Sequence, residues 1–82
     1  MMVYNWRTFS APSPKWVPVT KANADLPDGV CRALRVGTAG TANLMQPDGT
    51  IRENVPLFAD DNPFMCLQVR TGGTADDIWA LY

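Results

Sequence analysis

The chain has 82 residues, a net charge of −1 from seven basic and eight acidic side chains, no histidine and two cysteines. That length holds one hydrophobic core. The missing histidine removes His-based catalytic triads and most zinc ligand sets, and the balanced charge offers no polybasic field to nucleic acid or an anionic membrane.

Taken in chain order, residues 1–13 read as an extended, aromatic-rich N-terminal arm and residues 14–82 as a single β-domain. The arm carries Met1, Met2, Val3, Tyr4, Trp6 and Phe9 without a helical stripe. It is too apolar for a solvated tail, so Tyr4, Trp6 and Phe9 are expected to dock onto a neighbouring subunit. The same opening lacks the basic start and following apolar stretch of a secretory signal. No run approaches the ~20 apolar residues of a membrane span. The expectation is cytoplasmic synthesis, with no membrane partner and reduced thiols.

Gly and Pro punctuate the rest so closely that the longest uninterrupted windows are 19–26 and 64–71. A helix averages ~11–12 residues, and Pro or Gly in its interior costs ~3 or ~1 kcal/mol. The pattern therefore predicts an all-β fold, a small antiparallel β-sandwich or β-barrel. Lys15–Thr20 is extended but broken by Pro18, hence an edge strand or a tether. Val30–Val36 is a strand with Val30, Leu34 and Val36 on one face. Thr41–Gln46 sets Ala42 and Leu44 against Asn43 and Met45. Pro47-Asp48-Gly49 supplies turn chemistry and joins that strand to Thr50–Val55 as a hairpin. Asp60-Asp61-Asn62-Pro63 reads as a polar turn. Phe64–Arg70 and Asp77–Tyr82 complete the set, the latter opposing Ile78, Ala80 and Tyr82 to Trp79 and Leu81. Several strands are apolar on both faces. Either a neighbouring subunit covers the second face, or short strands near corners meet core on both sides.

No catalytic constellation emerges. Gly37-Thr38-Ala39-Gly40 precedes no helix and lacks a Gly-Lys-Ser/Thr, so it reads as a turn rather than a phosphate cradle. Asp60-Asp61 and Asp76-Asp77 are adjacent pairs whose members point to opposite faces of a strand. Asp60 or Asp76 could at most contribute to a loop cation site. Cys31 and Cys66 lack a His partner and the Cys-x-x-Cys spacing that activates a thiolate. They read as two small buried side chains, with one intrachain disulfide as the alternative. The expectation is no enzyme activity and no cofactor.

Stability points to assembly. Folding buries about 8,000 Å² by the surface-scaling relations, and with ~60% of it apolar this contributes on the order of 120 kcal/mol. Ordering the chain costs about the same, at ~1.5 kcal/mol per residue. A chain so balanced needs a disulfide, a metal or partner subunits, and a homo-oligomer is the expected supplement. Trp and Tyr concentrate at interface hot spots, so Trp16, Trp79, Leu81 and Tyr82 join Tyr4, Trp6 and Phe9 as candidate interface residues. Arg32, Arg35 and Arg70 are candidate ion-pair partners of Asp76, Asp77 or carboxylates on another subunit.

Four blocks also carry a family pattern. They are Val19-Thr20 with Asp25-Leu26-Pro27, then Arg32-Ala33-Leu34-Arg35-Val36-Gly37-Thr38-Ala39-Gly40, then Asn54-Val55-Pro56, and finally Val69 through Thr71-Gly72-Gly73-Thr74-Ala75-Asp76-Asp77-Ile78-Trp79-Ala80-Leu81-Tyr82. Over roughly residues 9–82 the chain resembles the spike base proteins of tailed phages, prophages and gene transfer agents. It departs from them at Lys21-Ala22-Asn23-Ala24, where more Pro and Ser is usual, and at Ala59-Asp60-Asp61-Asn62, where an apolar run is usual. Residues 1–8 match no family feature. The resemblance implies a structural virion protein made in the host bacterial cytoplasm and placed on the capsid exterior, as a head-spike base or a decoration (cement) protein. Its implied partners are further copies of itself, as a trimer or pentamer, the major capsid protein and a spike fibre protein, with no nucleic acid. Two other readings rest on the residues. One is a receptor- or glycan-binding module of a tail or baseplate, built on Trp16 and loop aspartates. The other is a metal-assisted hydrolase using Asp60 or Asp76.

Overall fold

The computed structural model describes residues 13–82, so the arm residues Tyr4, Trp6 and Phe9 lie outside the described residues. Seven strands follow in order: β1 (Trp16–Pro18), β2 (Ala33–Thr38), β3 (Gly40–Met45), β4 (Ile51–Leu57), β5 (Asp61–Asn62), β6 (Gln68–Arg70) and β7 (Asp76–Leu81). They form two antiparallel sheets, one ordered β1-β7-β2-β5 and the other β4-β3-β6. The fold is a small all-β sandwich.

Alternation builds the core. Leu34, Val36, Ile78 and Ala80 come from the four-stranded sheet, and Ala42, Leu44, Leu57 and Val69 from its partner. Each of these is under 5 % exposed. Leu26 enters from the long connection between β1 and β2. That connection crosses the open side of the sandwich. Val19 donates its backbone N–H to Ile78 of β7, and Ala22 and Leu26 donate theirs to Val69 and Leu67, along the free edge of β6.

The Gly37–Gly40 segment is not a hairpin turn. β2 and β3 belong to different sheets with only Ala39 between them, so the chain bends at this corner from one layer into the other. Gly40 is required there by close approach. A Cβ on it would lie 2.6 Å from the Ala75 nitrogen and 2.8 Å from the Thr74 carbonyl carbon. Thr41 locks the same crossing by accepting the N–H groups of Thr74 and Ala75 on its carbonyl, both at 2.9 Å.

Three expected boundaries change. The strand expected over Val30–Val36 begins at Ala33, because Cys31 pairs across to Cys66 in an isolated antiparallel bridge and only from Ala33 does the chain run beside β7. The strand expected over Phe64–Arg70 shortens to Gln68–Arg70 for the same reason: its first half serves that bridge. Asp61–Asn62, expected as turn, is strand β5 on the edge of β2. Asn62 is 2 % exposed. Its amide donates to the carbonyls of Phe58 (3.0 Å) and Asp60 (2.9 Å), and its Oδ1 accepts the Phe58 N–H at 2.9 Å. These three bonds fold residues 58–62 around one buried side chain.

The Pro47-Asp48-Gly49 hairpin forms between β3 and β4 as the sequence predicts. Thr50 donates its N–H to Asp48 Oδ1 at 2.9 Å, and Gly49 takes φ +92°. This bond holds the exposed Asp48 carboxyl below its ordinary range. Further along the ladder, Glu53 and Asn54 together oppose Asn43, a bulge at which Asn54 adopts φ +56°. Asn43 steadies it, accepting the Asn54 N–H on Oδ1 and donating from Nδ2 to the Thr71 carbonyl, both at 3.0 Å.

Candidate functional site: the outer face of the four-stranded sheet

The register across β1, β7, β2 and β5 sorts residues into rows. Val17, Ala80, Leu34 and Asn62 form a row facing the core. The rows on either side of it face outward: Trp16, Leu81 and Ala33 in one, Pro18, Trp79, Arg35 and Asp61 in the other. A cavity of about 680 Å³ opens on this outer face, walled by Trp16, Trp79 and Leu81 and rimmed by Arg35, Asp61 and Asp77. Ser13 also lines it, so the described chain begins at its edge.

Trp16 is 65 % exposed, on a sheet edge where a Trp ring leaves much apolar area in water. Trp79 is half-buried. Its indole N–H donates to Asp77 Oδ1 at 3.2 Å, while Asp77 takes a left-handed backbone at φ +53°. Gly37 lies against Asp77 and leaves no room there for a Cβ. A non-glycine residue at positive φ beside a cavity is stored backbone strain, here held by the Asp77–Trp79 bond.

The structure brings Trp16, Trp79, Leu81, Arg35 and Asp77 together on this face, five of the residues singled out from sequence. Arg35 meets Asp61 at 3.0 Å and Asp60 at 3.6 Å, partners from β5 and the residue before it rather than Asp76 or Asp77. All three side chains are well exposed, so the pairs are worth little energetically, though they fix the guanidinium at the cavity rim. Arg70 lies elsewhere, donating to Gln68 Oε1 at 2.5 Å, while Gln68 Nε2 donates to Asp25 Oδ1 at 2.7 Å. Arg32 lies between Cys31 and the start of β2 and donates its backbone N–H to the Leu81 carbonyl. Asp76 is exposed at the start of β7.

Tyr82 turns away from the cavity. It packs against the core cluster, and its hydroxyl donates to the Gly29 carbonyl at 3.0 Å. Lys15 Nζ sits 5.6 Å from the centre of the Tyr82 ring and 3.1 Å from Asp28 Oδ1. Burial, together with Cys31 and Asp28 nearby, raises the Tyr82 hydroxyl above its ordinary range. Ser13, missed by sequence reasoning, donates Oγ to the Tyr82 carbonyl at 2.9 Å and accepts the Tyr82 N–H at 3.1 Å. A serine between two prolines gave no local signal of a bond 69 residues away.

Among the described residues no group of three His, Cys, Asp or Glu side chains gathers as a metal site, and no helix is long and apolar enough to cross a membrane. No family model, curated protein or solved structure matches this chain.

Proposed function

We propose that the protein is a structural component of a phage virion, an oligomeric head-spike base or decoration protein that seats on the capsid exterior through the outer face of its four-stranded sheet. The observation that carries this reading is the open apolar surface of Trp16, Trp79 and Leu81 on a small, nearly neutral domain. Exposed aromatic area framed by polar groups is the composition of a protein–protein contact. The resemblance to spike base proteins supplies the virion context. Its blocks have clear structural work here: Leu26 plugs the core, Gly40 makes the corner between sheets, and the closing block forms β7. The partners in this reading are further copies of the chain, the major capsid protein and a spike fibre; it involves no catalysis and no nucleic acid.

A second reading, a glycan-binding module of a tail or baseplate, is favoured by one detail. An exposed indole beside Asp61, Asp77 and Arg35 provides a stacking surface with hydrogen-bonding groups around it. One experiment separates the two. Trp16→Ser is compared with wild type by sedimentation, by a cryo-EM map of particles carrying each version, and on a glycan array. The virion reading expects wild-type protein in several copies on the capsid exterior and the variant depleted from it. A stable wild-type monomer missing from particles overturns it, and a glycan hit lost in the variant favours the alternative.

A further inference from the structure

Cys31 and Cys66 play no part in the outer face, yet their placement is specific. They form a directly opposed antiparallel couple that exchanges both backbone hydrogen bonds, Cys31 N–H to the Cys66 carbonyl at 3.0 Å and Cys66 N–H to the Cys31 carbonyl at 3.3 Å. Such a couple sets its Cα atoms about 5.5 Å apart with both side chains on one face, inside the ~4.4–6.8 Å span that a disulfide requires. The two thiols converge on one acceptor, the Phe64 carbonyl, at 4.0 and 3.7 Å. Both are free and buried. The couple joins the run into β2 with the run into β6, so it ties one sheet to the other, with β2 to β5 lying in the loop between.

We infer that Cys31 and Cys66 are a peroxide-oxidisable modification site, which closes to an intrachain disulfide and clamps the two sheets together. An approach exists from one side. Cys66 forms part of the wall of an open cavity of about 330 Å³ with Phe64, Met65, Pro47 and Arg52, and Phe64 and Met65 are themselves exposed. Hydrogen peroxide is small enough to enter by this route. The side-chain hydrogen bond between the cysteines lowers the Cys31 thiol, and the same bond together with burial raises that of Cys66. On the side where the cavity reaches Cys66, one of the two sulfurs reacts first. Its thiolate attacks one peroxide oxygen, the O–O bond breaks, and hydroxide leaves and takes up a proton as water, giving a sulfenic acid. The other cysteine's sulfur then attacks it, the S–O bond breaks, the S–S bond forms, and the second water departs with that cysteine's proton. Two thiols and one peroxide give one disulfide and two waters.

The test treats the full-length reduced protein with hydrogen peroxide under native conditions. The expected product is a monomer lighter by about 2 Da, with no titratable thiol after denaturation and a peptide map linking residues 31 and 66. Its Tm rises by on the order of 10 °C and returns to the starting value with a reductant. Cys31→Ala and Cys66→Ala each abolish the mass loss and the Tm rise. Should either variant fail to fold, the wild-type mass and peptide map decide alone. Two thiols surviving peroxide, a gain of about 32 Da from sulfinic acid, or disulfide-linked dimers on a non-reducing gel overturn the inference.

Discussion

Single side chains settle where this chain tolerates change. Gly40 faces the rigid backbone of Thr74 and Ala75, and Gly37 faces the Asp77 side chain down to its Cβ. Gly40→Ala must push β3 away from the loop before β7, and it should destabilise by about 1–3 kcal/mol in urea unfolding. Gly37→Ala should also destabilise, since the added Cβ would lie 2.8 Å from the Asp77 Cβ, which no rotamer change moves. Tyr82 makes a second case. Its hydroxyl is held above the ordinary range in the folded state, so the protonated form stabilises the fold. That contribution is complete below the unfolded pKa of about 10 and is lost as pH rises through the folded value. Tyr82→Phe removes the bond to the Gly29 carbonyl and should cost about 1 kcal/mol at pH 7. It should also flatten the loss of stability above pH about 10, which thermal melts across that range will show.

At the scale of elements, edges and corners decide the architecture. β4 is a seven-residue edge strand, exposed at Ile51, Arg52, Glu53, Asn54 and Pro56, and a long open edge invites pairing with another chain. Here it is blunted by the charges of Arg52 and Glu53, by the bulge against Asn43 and by Pro56, which has no N–H to offer. The opposite edge, β6, is instead covered by the connection through Ala22 and Leu26. β5 is two residues long and stands because Asn62 gathers the backbone around it. Asn62→Ala removes all three bonds; the Phe58 and Asp60 carbonyls keep the N–H groups of Asp60 and Val36, and the Phe58 N–H is left to find a new partner. A loss of about 2 kcal/mol is expected, with faster amide exchange at Phe58 and in β5 as the local signature, measurable by hydrogen exchange.

At the scale of the whole molecule, the sandwich divides the residues off its two core-facing rows into two populations. Adjacent residues such as Ala33-Leu34 and Gln68-Val69 are both buried despite pointing to opposite faces, which is what short strands near corners do. Trp16, Trp79 and Leu81 instead line an open cavity on the outer face. Because Trp16 already stands 65 % in water, Trp16→Ser should change the stability of the isolated domain by no more than about 0.5 kcal/mol. Its effect belongs on assembly. Intact Tm together with lost incorporation into particles would locate the role of Trp16 in contact with a partner rather than in folding.

The sequence by itself determined the class. Gly and Pro at nearly every turn-length interval left room only for short strands, and alternation grouped Ala42 with Leu44 and Ile78 with Ala80 on common faces, which the sandwich turns inward. The hairpin at Pro47-Asp48-Gly49 was legible because its chemistry is local: proline fixes φ, glycine supplies the positive φ, and Asp48 bonds two residues on. Tertiary structure decided everything that depends on which layer a strand joins. Gly37–Gly40 reads locally as a turn, and only the pairing of β2 with β7 and of β3 with β4 shows it as the corner between sheets. Asp61-Asn62 reads locally as loop, and only β2 beside it makes it a strand. Arg35 finds Asp60 and Asp61 rather than Asp76 or Asp77 because β5 and the residue before it bring carboxylates to the rim. Alternation tells which residues share a face, but the register between distant strands gathers Trp16, Trp79 and Leu81 on the outer face and sets Cys31 opposite Cys66. That register is a long-range property, fixed by burial and backbone hydrogen bonding across the whole sandwich.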